Sequence, residues 1–288
     1  MKKVTRRGFI KSALALSVVP LGLSAEEQKK EKHPKKEEQS LKIIHVTDSH
    51  MDLGDEESVE ALELMVEFVN REYKDLDFVL FGGDNYNNNV KGDKDALVFK
   101  NIISKLHCPS LHVRGNKESS PYPKDGTDLD SFKKLFFDEK VKKVEGRDWV
   151  VEKGGYMILG LDSSIEDAKN GRYREETMKF AESLLKQGKP TIMMNHHPYT
   201  NYWKEKDEKL IHKYVLNNSD EVQKRLFGYK NLILTLSGHK HIDSVTKINN
   251  TSVVVTRGFI KPLDLDQYPM RYIELKGGEM SEKLIYTV

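Results

Sequence analysis

The chain has 288 residues, 32% of them charged, with 47 basic against 45 acidic side chains and a formal net charge of +2. Five of the bases (Lys2, Lys3, Arg6, Arg7 and Lys11) fall within the first 25 residues with no acid among them, so the remainder is net acidic at −3. That balance offers no basic face for nucleic acid, and a single cysteine, Cys108, excludes an internal disulfide framework.

In chain order, Met1 to Lys11 is basic, and Ser12 to Ala25 is uncharged and mildly apolar, ending in the small residues Ser24 and Ala25. This is the order of a secretory signal, with cleavage expected after Ser24 or Ala25. Thr5-Arg6-Arg7-Gly8-Phe9-Ile10-Lys11 resembles the twin-arginine export motif of bacteria, read by the export machinery. A plain signal or an uncleaved anchor is the alternative. The apolar part is 14 residues, short of the roughly 20 that a spanning helix needs, so no stable membrane span is expected in the mature form. The expected location is therefore the periplasm, or more broadly outside the bacterial cytoplasm. Residues 26–40, with five acids and five bases, read as a disordered charged spacer. Residues 41–288 are enough for one large α/β domain.

Within that domain short apolar runs alternate with amphipathic stretches. Strands are predicted over Leu41–Val46, Phe78–Phe81, Ser110–Val113, Thr191–Met194 and Asn231–Leu236. Helices are predicted over Glu57–Tyr73, Asp95–Leu106, Asp128–Phe137 (with Asp128 as N-cap) and Glu175–Lys186. Trp149–Val151 and Tyr156–Leu161 form a hairpin across Gly154-Gly155, and the C-terminal stretch reads as short strands with turns at Asn249-Asn250 and Gly277-Gly278. His212 falls on a helical surface, while His45 and Cys108 fall in the core.

Five of the strands run directly into a polar cluster: IIHVTDSH, VLFGGDN, LHVRGNKE, TIMMNHHP and LTLSGHKH. Ligands of open α/β sheets bind beyond the carboxyl ends of strands, so all five clusters are expected to line one site. They offer Asp48, His50, Asp84, Asn116, His196 or His197, His239 and His241. Oxygen and imidazole donors without thiolate suit Zn²⁺, Mn²⁺ or Fe. Seven groups exceed what one tetrahedral zinc takes and suit two ions sharing a carboxylate, as in phosphoryl displacement. Residues two apart in a strand point the same way, which would align Asp48 with His50 and His239 with His241.

Asp48-Ser49-His50, Gly83-Asp84-Asn85, Gly115-Asn116, His196-His197-Pro198 and Gly238-His239-Lys240-His241, in this order over residues 42–260, resemble the calcineurin-like metallophosphoesterase superfamily. The resemblance implies a β-sandwich flanked by helices, layered α/β/β/α, with two divalent metal ions at one edge. It implies that Asp48, His50, Asp84 and His241 hold one ion. Asp84, Asn116, His196 and His239 would hold the other, with Asp84 bridging. It favours His196 over its neighbour His197, which then supports the site or touches substrate. It further implies hydrolysis of a phosphate monoester or diester, a nucleotide or pyrophosphate among the options, by a metal-bound hydroxide. Asp84, Asn116 and Lys117 are the candidate catalytic residues.

One position departs from the pattern. Many relatives carry a His directly after Gly-Asn to protonate the leaving group, whereas this chain has Lys117; the lipid A pathway pyrophosphatases of the superfamily carry Arg there. Lysine can hold phosphate as a point charge or act as an acid with a lowered pKa. The alternative function is a non-catalytic module of the same fold that binds metal and phosphate. Asp162-Ser163-Ser164 are further candidates for the pocket wall, Tyr199 to Trp203 for a substrate-side loop or a surface loop packing two aromatics, and Arg257 for a phosphate contact.

Overall fold

The structure, a computed structural model, describes residues 40–122, 124–138 and 143–288. The predicted signal (1–25) and all of the predicted spacer except Ser40 lie outside the described residues; Ser40 itself opens the first strand.

The first half contains β1 (Ser40–Val46), α1 (Glu56–Glu72), β2 (Phe78–Phe81), α2 (Lys94–Ile103), β3 (Ser110–His112), the single turn α3 (Asn116–Ser119) and α4 (Leu129–Phe136). Next come β4 (Lys143–Glu145), β5 (Asp148–Lys153), β6 (Tyr156–Gly160), α5 (Glu175–Leu185) and β7 (Thr191–Met194). The chain continues through α6 (Glu208–Tyr214), α7 (Ser219–Leu226), β8 (Leu232–Ser237), β9 (Ser244–Ile248), β10 (Thr251–Val255), β11 (Pro269–Lys276) and β12 (Glu279–Tyr286). Asp128 caps α4 as its position predicts, its carboxylate accepting from the Ser131 N–H at 2.8 Å. Gly277 and Gly278 both take positive φ at the β11–β12 turn, the conformation a tight two-residue hairpin requires.

Two sheets face each other. One runs β12-β11-β1-β2-β3, the other β4-β5-β6-β7-β8-β10-β9. The strands leading to the polar clusters pair in parallel: β1 with β2 and β2 with β3 in one sheet, β7 with β8 in the other. Strand alternation sorts their side chains between two environments. Leu41, Ile43, Phe78, Leu80 and Leu111 meet Ile158, Ile192, Met194, Leu234 and Leu236 between the sheets. The alternate residues Ile44, Val46, Val79 and Phe81 pack outward on Leu62, Val66, Phe99 and Phe132 of α1, α2 and α4. On the opposite face Leu159, Met193 and Leu232 pack on Met178, Ala181, Val222 and Leu226 of α5 and α7. The layers are thus α/β/β/α, as the motif resemblance implies. Strands covered on both faces read as unbroken apolar runs, which is why they are visible in the sequence.

His45 follows the alternation of β1 into the buried layer between the sheets. Its Nδ1 pairs with the Thr256 hydroxyl at 2.8 Å, and burial, helped by the Arg271 charge, lowers its pKa to about 3. It is a neutral core residue.

Candidate metal centre

The five motif loops begin where β1, β2, β3, β7 and β8 end, and backbone hydrogen bonds stitch them together. Asp48 N–H donates to the Gly83 carbonyl at 3.0 Å, His50 N–H to Asp84 at 2.9 Å, and Gly238 N–H to His196 at 3.0 Å. The motif glycines permit this closeness. A Cβ on Gly83, whose φ is +92°, would lie 2.7 Å from the Gly115 nitrogen and 2.8 Å from His196 Nδ1; one on Gly238 would lie 2.3 Å from Asp48 Oδ2.

Asp48, His50, Asp84, His239 and His241 all take left-handed backbone conformations, with φ of +55°, +47°, +50°, +67° and +60°. Each costs free energy for a non-glycine residue, and such strain gathers at functional sites. This corrects the expectation from strand alternation. Asp48 and His50, like His239 and His241, lie beyond their strands and are aimed inward by left-handed turns, not by the pleat.

Two groups of three result: Asp48, His50 and His241, and Asp84, His196 and His239, their ligand atoms within 4.8 Å of one another in each group. Asp84 Oδ2 lies between them, 3.6 Å from His50 Nε2 and 3.4 Å from His196 Nε2. Each carboxylate divides its oxygens. Asp84 Oδ1 accepts the Lys117 N–H at 2.7 Å. Asp48 Oδ2 accepts the His239 N–H and the Thr47 hydroxyl, leaving Oδ1 3.1 Å from His241 Nε2.

The far sides of the imidazoles are fixed as well. His196 Nδ1 donates to the Gly82 carbonyl at 2.9 Å, His239 Nε2 to the Lys213 carbonyl at 2.9 Å, and His50 Nδ1 to Asn87 Oδ1 at 3.1 Å. In the neutral rings these bonds set the tautomers so that His196 Nε2, His239 Nδ1 and His50 Nε2 present lone pairs inward. His196 Nε2 and His239 Nδ1 stand 3.1 Å apart, so their lone pairs oppose each other unless His196 carries a second proton or a cation lies between them. A cation between such groups relieves the repulsion. Asn116 points to the same need, since its buried Oδ1 has no protein partner.

The site's electrostatics call for positive charge. Burial opposes ionisation of Asp84, yet His196, His50 and His239 outweigh it and hold the carboxyl well below its usual range. Asp48 is likewise depressed against burial by His241 and His196. Burial disfavours a charged His196, but Asp84 and Asp48 lift its pKa to about 10. At His239, burial and the neighbouring His196 lower it to about 4.

His196, not His197, belongs to the cluster. Both ring nitrogens of His197 are engaged, Nδ1 with the Ser163 hydroxyl at 2.8 Å and Nε2 with the Lys169 carbonyl at 3.2 Å. Its ring packs against His196 and His239 and so supports them. Asp162 is buried in an ion pair with Arg114, 3.0 Å away. Arg257 spends its guanidinium on the carbonyls of Lys261 and Pro262, bracing its own loop. Tyr199 is no surface residue, being fully buried with its hydroxyl 2.6 Å from that of Tyr173. Tyr202 and Trp203 are half-buried and pack on each other.

Lys117 sits in α3 beside Asn116, half-buried, and its charge helps stabilise the Asp52 carboxylate. Asp52 in turn accepts from Asn87 and Asn89, so the Lys117 side is linked through Asn87 to His50. Glu118 is the functional residue that motif reading overlooked. Its carboxylate accepts the N–H groups of Gly115 (2.8 Å), Asp84 (3.0 Å) and Asn85 (2.7 Å), locking the second and third motif loops together. Burial and the Asp84 charge push its pKa up to about 7 despite these bonds. Its signal in sequence is only a Glu opening a helix three residues after a glycine.

The model of the calcineurin-like phosphoesterase family matches residues 41–243. The chain belongs to the calcineurin-like phosphoesterase family. Members of this family use two divalent metal ions, and the chain's donors, all imidazole, carboxylate or amide oxygen with lone pairs converging, fit that pair. Similar solved structures include a dimetal phosphatase from Danio rerio, at 12% identity and a TM-score of 0.63 over 86% of this chain and 99% of that one. The purple acid phosphatase PPD1 of yellow lupin (Lupinus luteus) is similar at 13% identity and a TM-score of 0.60, over 86% of this chain and 52% of that one. GAP50, the anchor in the inner membrane complex of Plasmodium, is similar at 14% identity and a TM-score of 0.56, over 86% and 85%. At these identities the likeness is one of fold. No curated protein sequence matches the chain.

Proposed function

We propose that this chain is an exported phosphoesterase that holds two divalent metal ions and hydrolyses a phosphate monoester or diester. The observation behind it is the pair of ligand groups meeting at Asp84 Oδ2. Asp48, His50, His241 and Asp84 would hold one ion, and Asp84, His196, His239 and Asn116 the other. When bound, such a pair supplies Lewis acidity toward water and phosphoryl oxygens near neutral pH. Asp84 and Asp48 each keep one oxygen on a backbone N–H, which fixes the other toward the centre. Lys117, beside Asn116, brings an ammonium that can hold the phosphate or hand a proton to the leaving oxygen. Export rests on Arg6-Arg7 and the apolar stretch after them. Among the described residues no helix is long and apolar enough to cross a membrane.

A second reading, a metal- and phosphate-binding module without turnover, is favoured by Lys117 standing where many relatives have His. The similar fold of an anchor protein is compatible with it. One experiment separates the two. The chain without residues 1–25 is loaded with Mn²⁺, its metal content measured, and hydrolysis followed on aryl phosphate mono- and diesters and nucleotides. Two ions per chain and turnover that falls at least about a thousandfold in Asp84→Ala are expected. Full loading with no turnover on any substrate would establish the binding module instead.

A further inference from the structure

Lys240 separates His239 from His241 and lays its side chain over the aromatic residues Tyr214 and Trp203. Its ammonium stands 3.8 Å from the centre of the Tyr214 ring and 4.9 Å from that of Trp203. Lys213 places a second ammonium 4.6 Å from the same Tyr214 ring. Tyr214 packs against His239, ring centres 5.2 Å apart, so the Lys240 ammonium lies within about 9 Å of a candidate metal ligand.

Among the described residues neither of these two lysines forms an ion pair with a carboxylate. Glu205, which senses the Lys240 charge, gives its carboxylate to the N–H groups of Lys206 and Asp207. Two cations gathered at one ring repel each other, and attraction to the ring face offsets only part of that. The lysines also occupy the ring, so Tyr214 does not offer it for a stacked base. What the arrangement lacks, among the described residues, is an anion in direct contact with the two ammonium groups. The phosphate under attack belongs at the metal ligands, to one side of this cluster.

We infer that Lys240 and Lys213 form a subsite for a second anionic group of the substrate, adjoining the phosphate under attack. The substrate class is then a phosphoester or phosphoanhydride whose leaving portion carries its own phosphate or carboxylate. This rests on the phosphoesterase reading above. The Tyr214 and Trp203 rings hold the ammonium of Lys240 in place while leaving its N–H donors for the ligand.

Two non-hydrolysable probes test the subsite by binding alone. Methylphosphonate carries one anionic group; phosphonoacetate adds a carboxylate next to it. Both are titrated calorimetrically into the Mn²⁺-loaded chain at fixed free metal. The chain is expected to bind phosphonoacetate about tenfold more tightly, the size of one charge-assisted hydrogen bond. Lys240→Met keeps the packing on the rings and removes the charge. It is expected to weaken phosphonoacetate at least about fivefold more than methylphosphonate. Lys240→Arg restores the preference, and Lys247→Met, on β9, does not alter it. Equal losses for both probes in Lys240→Met, or no preference in the parent chain, would overturn the subsite. Probe preference without hydrolysis of any phosphoester would sink the enzyme reading and leave the subsite standing. Hydrolysis without probe preference would do the reverse.

Discussion

At the scale of single residues, the site separates groups that aim at the centre from groups that hold them still. Asp48, His50, Asp84, His239 and His241 were legible because left-handed turns at strand ends favour short motifs with glycine nearby, and those motifs stand out in sequence. Glu118 was not legible, because its work is done on three backbone N–H groups drawn from two loops 34 residues apart or less. Glu118→Gln keeps the shape but turns one acceptor oxygen into a donor facing N–H groups. It is expected to cost about 1–3 kcal/mol of stability and to weaken metal binding roughly 10–100-fold. Denaturant melts together with Mn²⁺ titration by calorimetry check this; an unchanged metal affinity would show that the loop lock is dispensable. The choice between His196 and His197 shows the same limit. Adjacent histidines look equivalent in a sequence, and only the Ser163 and Lys169 partners of His197 reveal that its nitrogens are already used.

At the scale of elements, strands buried on both faces were readable as apolar runs, and the long helices α1 and α5 as amphipathic periods, with ends shifted by a residue or so. The elements that escaped were short or polar. α3 is one turn, α6 buries none of its residues completely, and α7 buries only Val222 and Leu226. Yet α6 supplies the carbonyl that orients His239, so a weak sequence signal does not mean a minor role. The start of β5 holds a further consequence. Asp148 is buried, accepts the Asp162 N–H at 2.8 Å, and is pushed up to about 7 by burial, with the Asp162 charge adding to it. An acid whose pKa is raised on folding contributes its full stability below its unfolded value near 4 and loses it as pH rises toward 7. Asp148→Asn should therefore match the parent near pH 4 and exceed it at pH 8, by on the order of 3–4 kcal/mol. Urea midpoints at the two pH values decide this. A constant difference would mean that Asp148 does not titrate on unfolding.

At the scale of the whole molecule, the layering could be anticipated only through the ordered motifs, since alternating strands and helices alone suit several α/β arrangements. Which sheet each strand joins depends on pairings such as β1 with β11, made between residues more than 200 apart, for which no local pattern exists. The proposed export address is a separate matter, read from Arg6 and Arg7 in the sequence. A reporter fused to residues 1–40 should be exported, and export should stop when both arginines are lysine. Continued export of the double-lysine fusion would refute the twin-arginine route.

The two ligand groups each draw on both sheets: Asp48 and His50 beyond β1 meet His241 beyond β8, and Asp84 beyond β2 meets His196 and His239 from β7 and β8. Cations shared by these groups would cross-link positions as much as 193 residues apart, the service that a disulfide performs in many exported proteins. With one buried cysteine, this chain has no such bond to form. Metal supply, in place of redox state, would then govern how firmly its two sheets are fastened.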